Sequence, residues 1–242
     1  MKGILVTVTK TRGSAPREPG AWMWVGPDRV SGTIGGGQLE YMAIDAARTG
    51  RLGTLDIPLG PEIGQCCGGH VTLLLEPSQQ PDASPRPSVL IFGAGHTGRA
   101  LAAQMQHMDV ALSLIDSREA ELANARIPEP AKHLTPLPEA AVAAAAPGSA
   151  YVILTHDHAL DFLIAGAALA REDAAYVGMI GSATKRARFT RWAAQSAPLA
   201  DVSRLTCPIG SGSPRDKRPE VIAAFTATEI LTCFAKQPET VA

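Results

Sequence analysis

Two adjacent cysteines, Cys66 and Cys67, have the clearest chemical potential in this chain. They lie in the run GQCCGGH, where glycines remove side-chain bulk and expose backbone N–H groups. Such dipoles favour a thiolate, which is nucleophilic and binds soft metals. Neighbouring cysteines rarely pair as a disulfide because the geometry is poor. We therefore expect one thiol to contact a metal or to carry a transferred sulfur atom. The alternative is a small buried residue at a tight turn.

A glycine-rich run in the second half of the chain predicts a phosphate-binding turn. Gly93-Ala-Gly95-His96-Thr-Gly98 follows a predicted strand and opens a predicted helix, the context in which this pattern cradles a pyrophosphate. Asp116 ends the next predicted strand, 18 residues after Gly98, where a ribose-binding carboxylate is expected. The alternative is a domain of the same shape that binds no nucleotide.

Two histidines, His156 and His158, stand in the run THDH at the carboxyl end of another predicted strand. Open α/β sheets place their ligand sites at such ends. The run fails the HxHxDH pattern of metallo-hydrolases because Leu160 and Asp161 stand where that pattern has Asp and His. A polar role in a ligand cleft is therefore favoured over metal binding, and the alternative is a pair of turn histidines bonded to the backbone.

Further candidate ligands lie near the N-terminus. They are Arg17, Gly35, Gly36, Gly37, Gln38 and Glu40. The three glycines enter a predicted helix and expose its first N–H groups, which predicts a surface for an anion or a carbonyl. Gln38 and Glu40 are placed to read the edge of a polar heterocycle. Arg17 suits a bidentate anion contact, and its alternative is a surface ion pair of little energy.

The elements that must position these residues fall into two groups, separated by the proline-rich run 77–88, which predicts a linker. Before it, short β-like runs surround one helix and predict a small α+β domain over residues 1–76. After it, strands alternating with helices predict a parallel sheet over residues 89–242. The predicted class is α/β, with a small N-terminal α+β domain followed by a Rossmann-like parallel-sheet domain. The basic run 185–188 predicts a solvated helix face, with phosphate contact as the alternative.

Composition excludes several classes of function. The net charge of −1 gives no global field that would attract nucleic acid or an anionic membrane. No apolar run is long enough to span a bilayer, and MKGILVTVTKTRGS predicts a strand rather than a signal peptide. Four cysteines in 242 residues predict no disulfide framework and indicate a reducing, cytoplasmic setting. A flexible linker would also permit domain exchange in a homo-oligomer.

Taken together, these runs resemble the XdhC/CoxI family of accessory proteins for xanthine dehydrogenase and related molybdenum hydroxylases. The similar segments are GSAPREPG, GTIGGGQLE, GQCCGG, VLIFGAGHTGRAL, IDSR, THDH, YVGMIGS and PIGSGSP, which cover nearly the whole chain. The resemblance implies a protein that binds the molybdenum cofactor (molybdopterin), presents it to a cysteine desulfurase for sulfuration and delivers it to the apo-enzyme. It also implies that Cys66 or Cys67 contacts the molybdenum or relays sulfur.

Two other functions stay open at this stage. One is an NAD(P)-dependent oxidoreductase with Asp116 on the ribose and His156 or His158 as acid–base group, in which the N-terminal domain has no obvious place. The other is a metal-dependent hydrolase that uses both histidines, and it ranks last because a third ligand at suitable spacing is missing. The resemblance favours a cofactor-binding chaperone over a stand-alone enzyme, with a nucleotide at the Rossmann site as an open addition.

Overall fold

The computed structural model describes residues 2–60, 68–81, 86–210, 212 and 216–236. The chain divides into two compact units, Met1–Ser84 and Pro85–Ala242, and each is described by itself. Within the described residues, no helix is both long enough and apolar enough to cross a membrane.

An antiparallel sheet and one helix form the N-terminal unit. In chain order its elements are β1 (Lys2–Arg12), β2 (Trp22–Val25), β3 (Val30–Gly32), α1 (Gly37–Arg48), β4 (Gly53–Pro58) and β5 (His70–Gln79). The strands are arranged in the order β3-β2-β1-β5-β4. Every second residue from Val71 to Leu75 is buried, because successive side chains point to opposite faces of a strand. That face shares one core with Leu39 and Ala43 of α1.

The last strand of this unit extends into the proline-rich run. β5 continues to Gln79, and Pro77 lies opposite Ile4 of β1. On the other side of β5, the pairing with β4 stops at Leu75, which lies opposite Gly53, the first residue of β4. A proline lacks the N–H that a ladder needs, so it is tolerated at a position where one neighbouring strand has already ended. Residues 77–79 therefore belong to the sheet although their composition is typical of a linker.

Six parallel strands form the sheet of the C-terminal unit. They are β6 (Ser88–Phe92), β7 (Ala111–Asp116), β8 (Lys132–Leu134), β9 (Ala150–Ile153), β10 (Tyr176–Met179) and β11 (Leu205–Thr206). The helices are α2 (His96–Met105), α3 (Glu119–Ala123), α4 (Ala140–Ala144), α5 (His158–Leu169), α6 (Ala183–Ser196) and α7 (Pro219–Ala235). Short 3-10 helices cover Glu129–Ala131 and Val202–Arg204. The strand order is β11-β10-β9-β6-β7-β8, the order of a doubly wound dinucleotide fold.

Helices cover both faces of this sheet. Val89 and Ile91 of β6 share a core with α2 and α7, whereas Leu90 and Phe92 share the opposite core with α5 and α6. All four residues of β9 and all four of β10 are buried, because a parallel sheet between two helical layers has no solvated face. The predicted α/β class with a Rossmann-like parallel sheet is confirmed.

A topological switch lies at the centre of the sheet. β6 pairs with β7 on one side and with β9 on the other, and the chain builds outwards from this pair in both directions. The loops that leave the carboxyl ends of β6 and β9 diverge there, which opens the crevice where folds of this kind bind ligands. Residues 93–95 and 154–157 form these loops.

Candidate functional site

Two glycines of the run after β6 are required by close packing, and a third leaves its backbone accessible to a ligand. A Cβ atom on Gly93 would lie 2.3 Å from the carbonyl oxygen of Leu154, and one on Gly98 would lie 1.9 Å from the carbonyl oxygen of Gly93. Both positions therefore exclude any side chain. A Cβ atom on Gly95 would meet nothing within 4 Å. Gly95 is thus the position where the fold leaves backbone open to a ligand, and His96 begins α2 beside it with an exposed side chain.

Asp116 stands at the end of β7 as predicted, but its carboxylate already has partners within the protein. Its Oδ2 accepts a hydrogen bond from the N–H of Ala94 at 2.7 Å and one from Nη2 of Arg118 at 2.8 Å. Its Oδ1 accepts from N and from Nε of Arg118, both at 2.9 Å. Burial by itself raises the pKa of Asp116, but the hydrogen bonds from Arg118 and Ala94 outweigh it and the pKa is lowered. A ribose hydroxyl would have to compete with a guanidinium that already holds both oxygens.

The other side of the Ala94 peptide is held as well. Nη1 of Arg99 donates a hydrogen bond of 2.7 Å to the carbonyl oxygen of Ala94, and Arg99 also pairs with Glu121. Glu121 lies 3.7 Å from Arg118, so the two arginines share one carboxylate. The sequence offered no signal for this brace, because it joins residues of α2, α3 and the end of β7.

A buried carboxylate in α5 holds the loop after β9 in position. Asp161, which is fully buried in the first turn of α5, accepts at Oδ1 a hydrogen bond of 2.9 Å from the N–H of Thr155. The hydroxyl of Thr155 lies 2.7 Å from the same oxygen. Asp157 caps α5 by accepting from the N–H of Ala159 at 2.7 Å. These bonds account for two polar residues of the loop and leave His156 and His158 exposed.

Lys185 neutralises Asp161 in the interior. Its Nζ pairs with Oδ2 of Asp161, and only 11% of its side chain is exposed. Lys185 turns inward from the first turn of α6, where Ser182 is the N-cap, and a Cβ atom on Gly181 would lie 2.7 Å from its Cδ. The prediction of a solvated basic helix face is thus wrong for Lys185, because periodicity cannot show which charged residue has a buried partner. Removing one member of such a pair typically costs about 3–5 kcal/mol.

These loops enclose a small cleft at the switch between β6 and β9, called here the switch-point cleft. It is lined by Gly93, Ile115, Asp116, Ser117, Pro138, Thr155, His156 and Leu160. Three predicted ligands, Gly93, Asp116 and His156, are therefore brought together. His158 begins α5 and is not among the lining residues in the described part of the chain. No cluster of three or more histidine, cysteine or carboxylate side chains able to hold a metal occurs among the described residues.

The N-terminal unit brings together a second set of predicted residues at its glycine run, called here the triple-glycine turn (Gly35, Gly36, Gly37 with Pro16 and Arg17). A Cβ atom on Gly35 would lie 2.4 Å from Cγ of Pro16 and 3.6 Å from Cγ of Arg17, so the loop GSAPREPG packs on this turn. Gly36 has a φ of +74° with nothing within 4 Å of its Cβ position. Gly36 is also the N-cap of α1 and offers no side-chain acceptor, which leaves first-turn N–H groups of α1 available to a ligand. Arg17 is exposed.

Glu40 braces this turn from inside α1. Its Oε1 accepts hydrogen bonds from the hydroxyl of Thr33 at 2.5 Å and from the N–H of Ile34 at 3.1 Å. Partial burial raises the pKa of Glu40, but these bonds and those from the backbone of Gly36 and Gly35 outweigh it and lower the pKa. Gln38, two residues earlier, remains exposed. Glu40 thus supports the turn, whereas the side chain of Gln38 faces solvent.

Cys66 and Cys67 lie outside the described residues. Gly68, the next residue in the sequence, donates its N–H to the carbonyl oxygen of Leu59 at 2.8 Å and forms a bridge with Ser14. Ser14 belongs to the same loop as Arg17. The chain therefore re-enters the described structure beside the loop that carries the predicted anion ligand.

Comparison with known proteins assigns both parts of the chain. The family model described as the XdhC Rossmann domain matches residues 89–230, more than half of the chain. A second model, the XdhC and CoxI family, matches residues 1–55.

The chain belongs to the XdhC and CoxI family. The predicted resemblance is thereby confirmed.

Two individual proteins are similar to this chain. The uncharacterized protein YqeB of Escherichia coli (strain K12) is 25% identical over 94% of this chain, which spans only 42% of YqeB. A crystal structure of a xanthine dehydrogenase from Bacillus halodurans superposes with a TM-score of 0.78 at 18% identity, covering 100% of this chain and 94% of that one. At that identity the likeness shows the fold alone. Membership of the XdhC and CoxI family does not favour the oxidoreductase alternative.

Proposed function

We propose that this chain is an accessory protein of xanthine dehydrogenase or a related molybdenum hydroxylase. In this proposal it binds the molybdenum cofactor, supports the sulfuration of that cofactor with a cysteine desulfurase, and inserts it into the apo-enzyme. Beyond family membership, the observation that carries the proposal is the triple-glycine turn. The backbone at Gly36 is open, and the neighbouring Gly35 packs against Pro16 and Arg17, in the loop that also contains Ser14.

The residues of the triple-glycine turn fit the chemistry of molybdopterin, an anionic and phosphorylated pterin. First-turn N–H groups of α1 and the guanidinium of Arg17 suit the anionic end. Gln38, with a donor and an acceptor on one side chain, suits the edge of the pterin. When bound, the cofactor supplies a soft molybdenum centre that is compatible with thiolate and sulfido ligands. Glu40 holds the turn in shape and keeps Gly35 and Gly36 oriented.

Cys66 and Cys67 complete the proposal, with equal standing. One of the two thiols contacts the molybdenum or carries the sulfur that the desulfurase donates, and the other orients or resolves it. A reducing, cytoplasmic setting would keep both thiols free. The switch-point cleft and the glycine-rich turn beside it remain a second binding region of the proposal, for part of the pterin or for a nucleotide. His156 lines the cleft with an exposed imidazole, and in the turn Gly95 presents open backbone and His96 an exposed imidazole.

The deciding experiment measures the cofactor content of the protein. The full chain is co-expressed with the molybdenum-cofactor pathway, purified without oxygen, and assayed for oxidised-pterin fluorescence and for molybdenum. We expect nearly one pterin and one molybdenum per chain. Arg17→Gln should lower the retained pterin several-fold, whereas Arg51→Gln, an exposed arginine of the same unit, should not.

A separate readout tests the thiols. Cys66→Ala and Cys67→Ala variants should retain their fold but lose activation of apo-xanthine dehydrogenase, and a fully active double variant would remove the thiols from the proposal. A wild-type chain that carries neither pterin nor molybdenum, but binds NADPH tightly, would replace the proposal with the oxidoreductase alternative.

A further inference from the structure

An irregularity in β1 redirects two cationic side chains. Val8 is buried in the core of the N-terminal unit, and strict alternation would turn Lys10 and Arg12 towards that same core. The register between β1 and β5 instead shifts between Val8 and Lys10, which is the signature of a β-bulge. Thr9, the extra residue, donates its hydroxyl to the carbonyl oxygen of Thr72 at 3.1 Å. Lys10 and Arg12 are consequently exposed, on the face of the sheet opposite the core.

The three neighbouring strands align polar side chains in two rows on this face. In one row Lys10 of β1 lies opposite Thr72 of β5, which lies opposite Asp56 of β4. In the next row Arg12 lies opposite His70. Together with Thr11 these residues line an open groove of about 400 Å³, called here the cationic groove.

The carboxylate of the cationic groove has partners within the groove, whereas its lysine and arginine form no ion pair among the described residues. Asp56 accepts a hydrogen bond of 2.6 Å from the hydroxyl of Thr72 and lies 3.7 Å from Nε2 of His70. Lys10 and Arg12, by contrast, form no ion pair within the described part of the chain. Two cations are thus held on one face, next to one carboxylate that is already engaged. An anion between Lys10 and Arg12 would relieve their repulsion.

We propose that the cationic groove binds the phosphate group of a small phosphorylated molecule. Arg12 supplies a planar guanidinium for two oxygens and Lys10 a point charge for the third. Two cations match one phosphate dianion, whereas a polyanion such as nucleic acid would need a longer basic surface. None of these residues belongs to the triple-glycine turn or to the switch-point cleft, and the inference does not rest on the proposed function.

Calorimetric titration of the full chain tests the groove, with inorganic phosphate and glycerol 3-phosphate as probes at constant ionic strength. We expect saturable millimolar or tighter binding of both. The double variant Lys10→Gln/Arg12→Gln should weaken it about tenfold or more, since it removes both direct charge contacts. Arg48→Gln/Arg51→Gln removes the same charge from exposed positions of the same unit and should change the affinity less than about twofold, because screening limits distant charges.

Asp56→Asn gives an independent readout of opposite sign. Removing this carboxylate should tighten phosphate binding several-fold, which a structural defect would not do. The inference is overturned if the wild-type chain shows no saturable binding, if both double variants weaken it equally, or if Asp56→Asn weakens it. Binding of inorganic phosphate without glycerol 3-phosphate would overturn the assignment to a phosphorylated molecule.

Discussion

The two glycine-rich turns of this chain look alike in sequence and differ in what their glycines do. In the turn after β6, Gly93 and Gly98 are required because backbone atoms already occupy the space of a side chain. Both polar groups of Ala94 are taken, by Asp116 and by Arg99. In the triple-glycine turn, Gly36 has open space around it and is required only by its positive φ.

A glycine run before a helix can therefore have either of two causes: close packing against the backbone, or a stretch of backbone that is open to solvent. Close packing makes a turn rigid at the expense of free N–H groups, as at Ala94. Open backbone leaves N–H groups for a ligand, as in the first turn of α1 after Gly36, and the turn is then held in shape by Glu40. The polar groups around the switch-point cleft thus have most of their hydrogen-bond partners within the protein. The triple-glycine turn leaves more backbone open to a ligand.

The largest expected effect is a difference in stability between two glycine-to-alanine variants of the glycine-rich run after β6. Gly98→Ala should lower the free energy of unfolding by about 3 kcal/mol or more, because its Cβ would lie 1.9 Å from a backbone oxygen that cannot move alone. Gly95→Ala, with φ of −66° and open space, should change it by less than about 0.5 kcal/mol. Chemical denaturation of both variants measures the contrast. Equal stabilities would mean that the turn is not closely packed.

The brace at Asp116 should give the next largest effect. Asp116→Asn places an amide donor among the donors of Ala94 and Arg118, so the free energy of unfolding should fall by about 2 kcal/mol. Asp109→Asn is the matched control, since Asp109 is 94% exposed and pairs with Arg86 only at 3.7 Å, an arrangement worth little. If Asp116→Asn were as stable as Asp109→Asn, the carboxylate would be free for a ribose after all.

The smallest expected effect is a change in how the stability of the N-terminal unit depends on pH. The folded-state pKa of Glu40 is lowered, so its contribution to stability is present above its unfolded value, about 4.5, and is lost as the pH falls through the lower folded value. Glu40→Gln should remove this part of the acid sensitivity of the N-terminal unit. Tryptophan fluorescence during urea unfolding at pH 6 and pH 3.5 reports on that unit in a Trp192→Phe background, which leaves Trp22 and Trp24. An unchanged pH dependence in the variant would show that Glu40 does not brace the turn.

The candidate sites were predictable to different extents. The positions of Gly93, Asp116 and His156 at or just after the ends of strands were predictable, because strand ends are visible in the alternation of apolar runs with glycine. The partners of Asp116 and the pairing of Asp161 with Lys185 were not predictable, since they join residues far apart in the sequence. Nor was the direction of Lys10 and Arg12, because a single extra residue in β1 reverses the face on which they lie.

The alternation of strands and helices followed from the sequence alone, because hydrophobic period and glycine placement are local properties of the chain. The family followed from the resemblance of its motifs to those of known members. Which polar side chains already have hydrogen-bond partners became visible in the folded structure. Hydrogen bonds such as those of Asp116, Asp161 and Glu40 depend on which elements pack together. A carboxylate that reads as a ligand in the sequence becomes a structural support once a donor from another element reaches it.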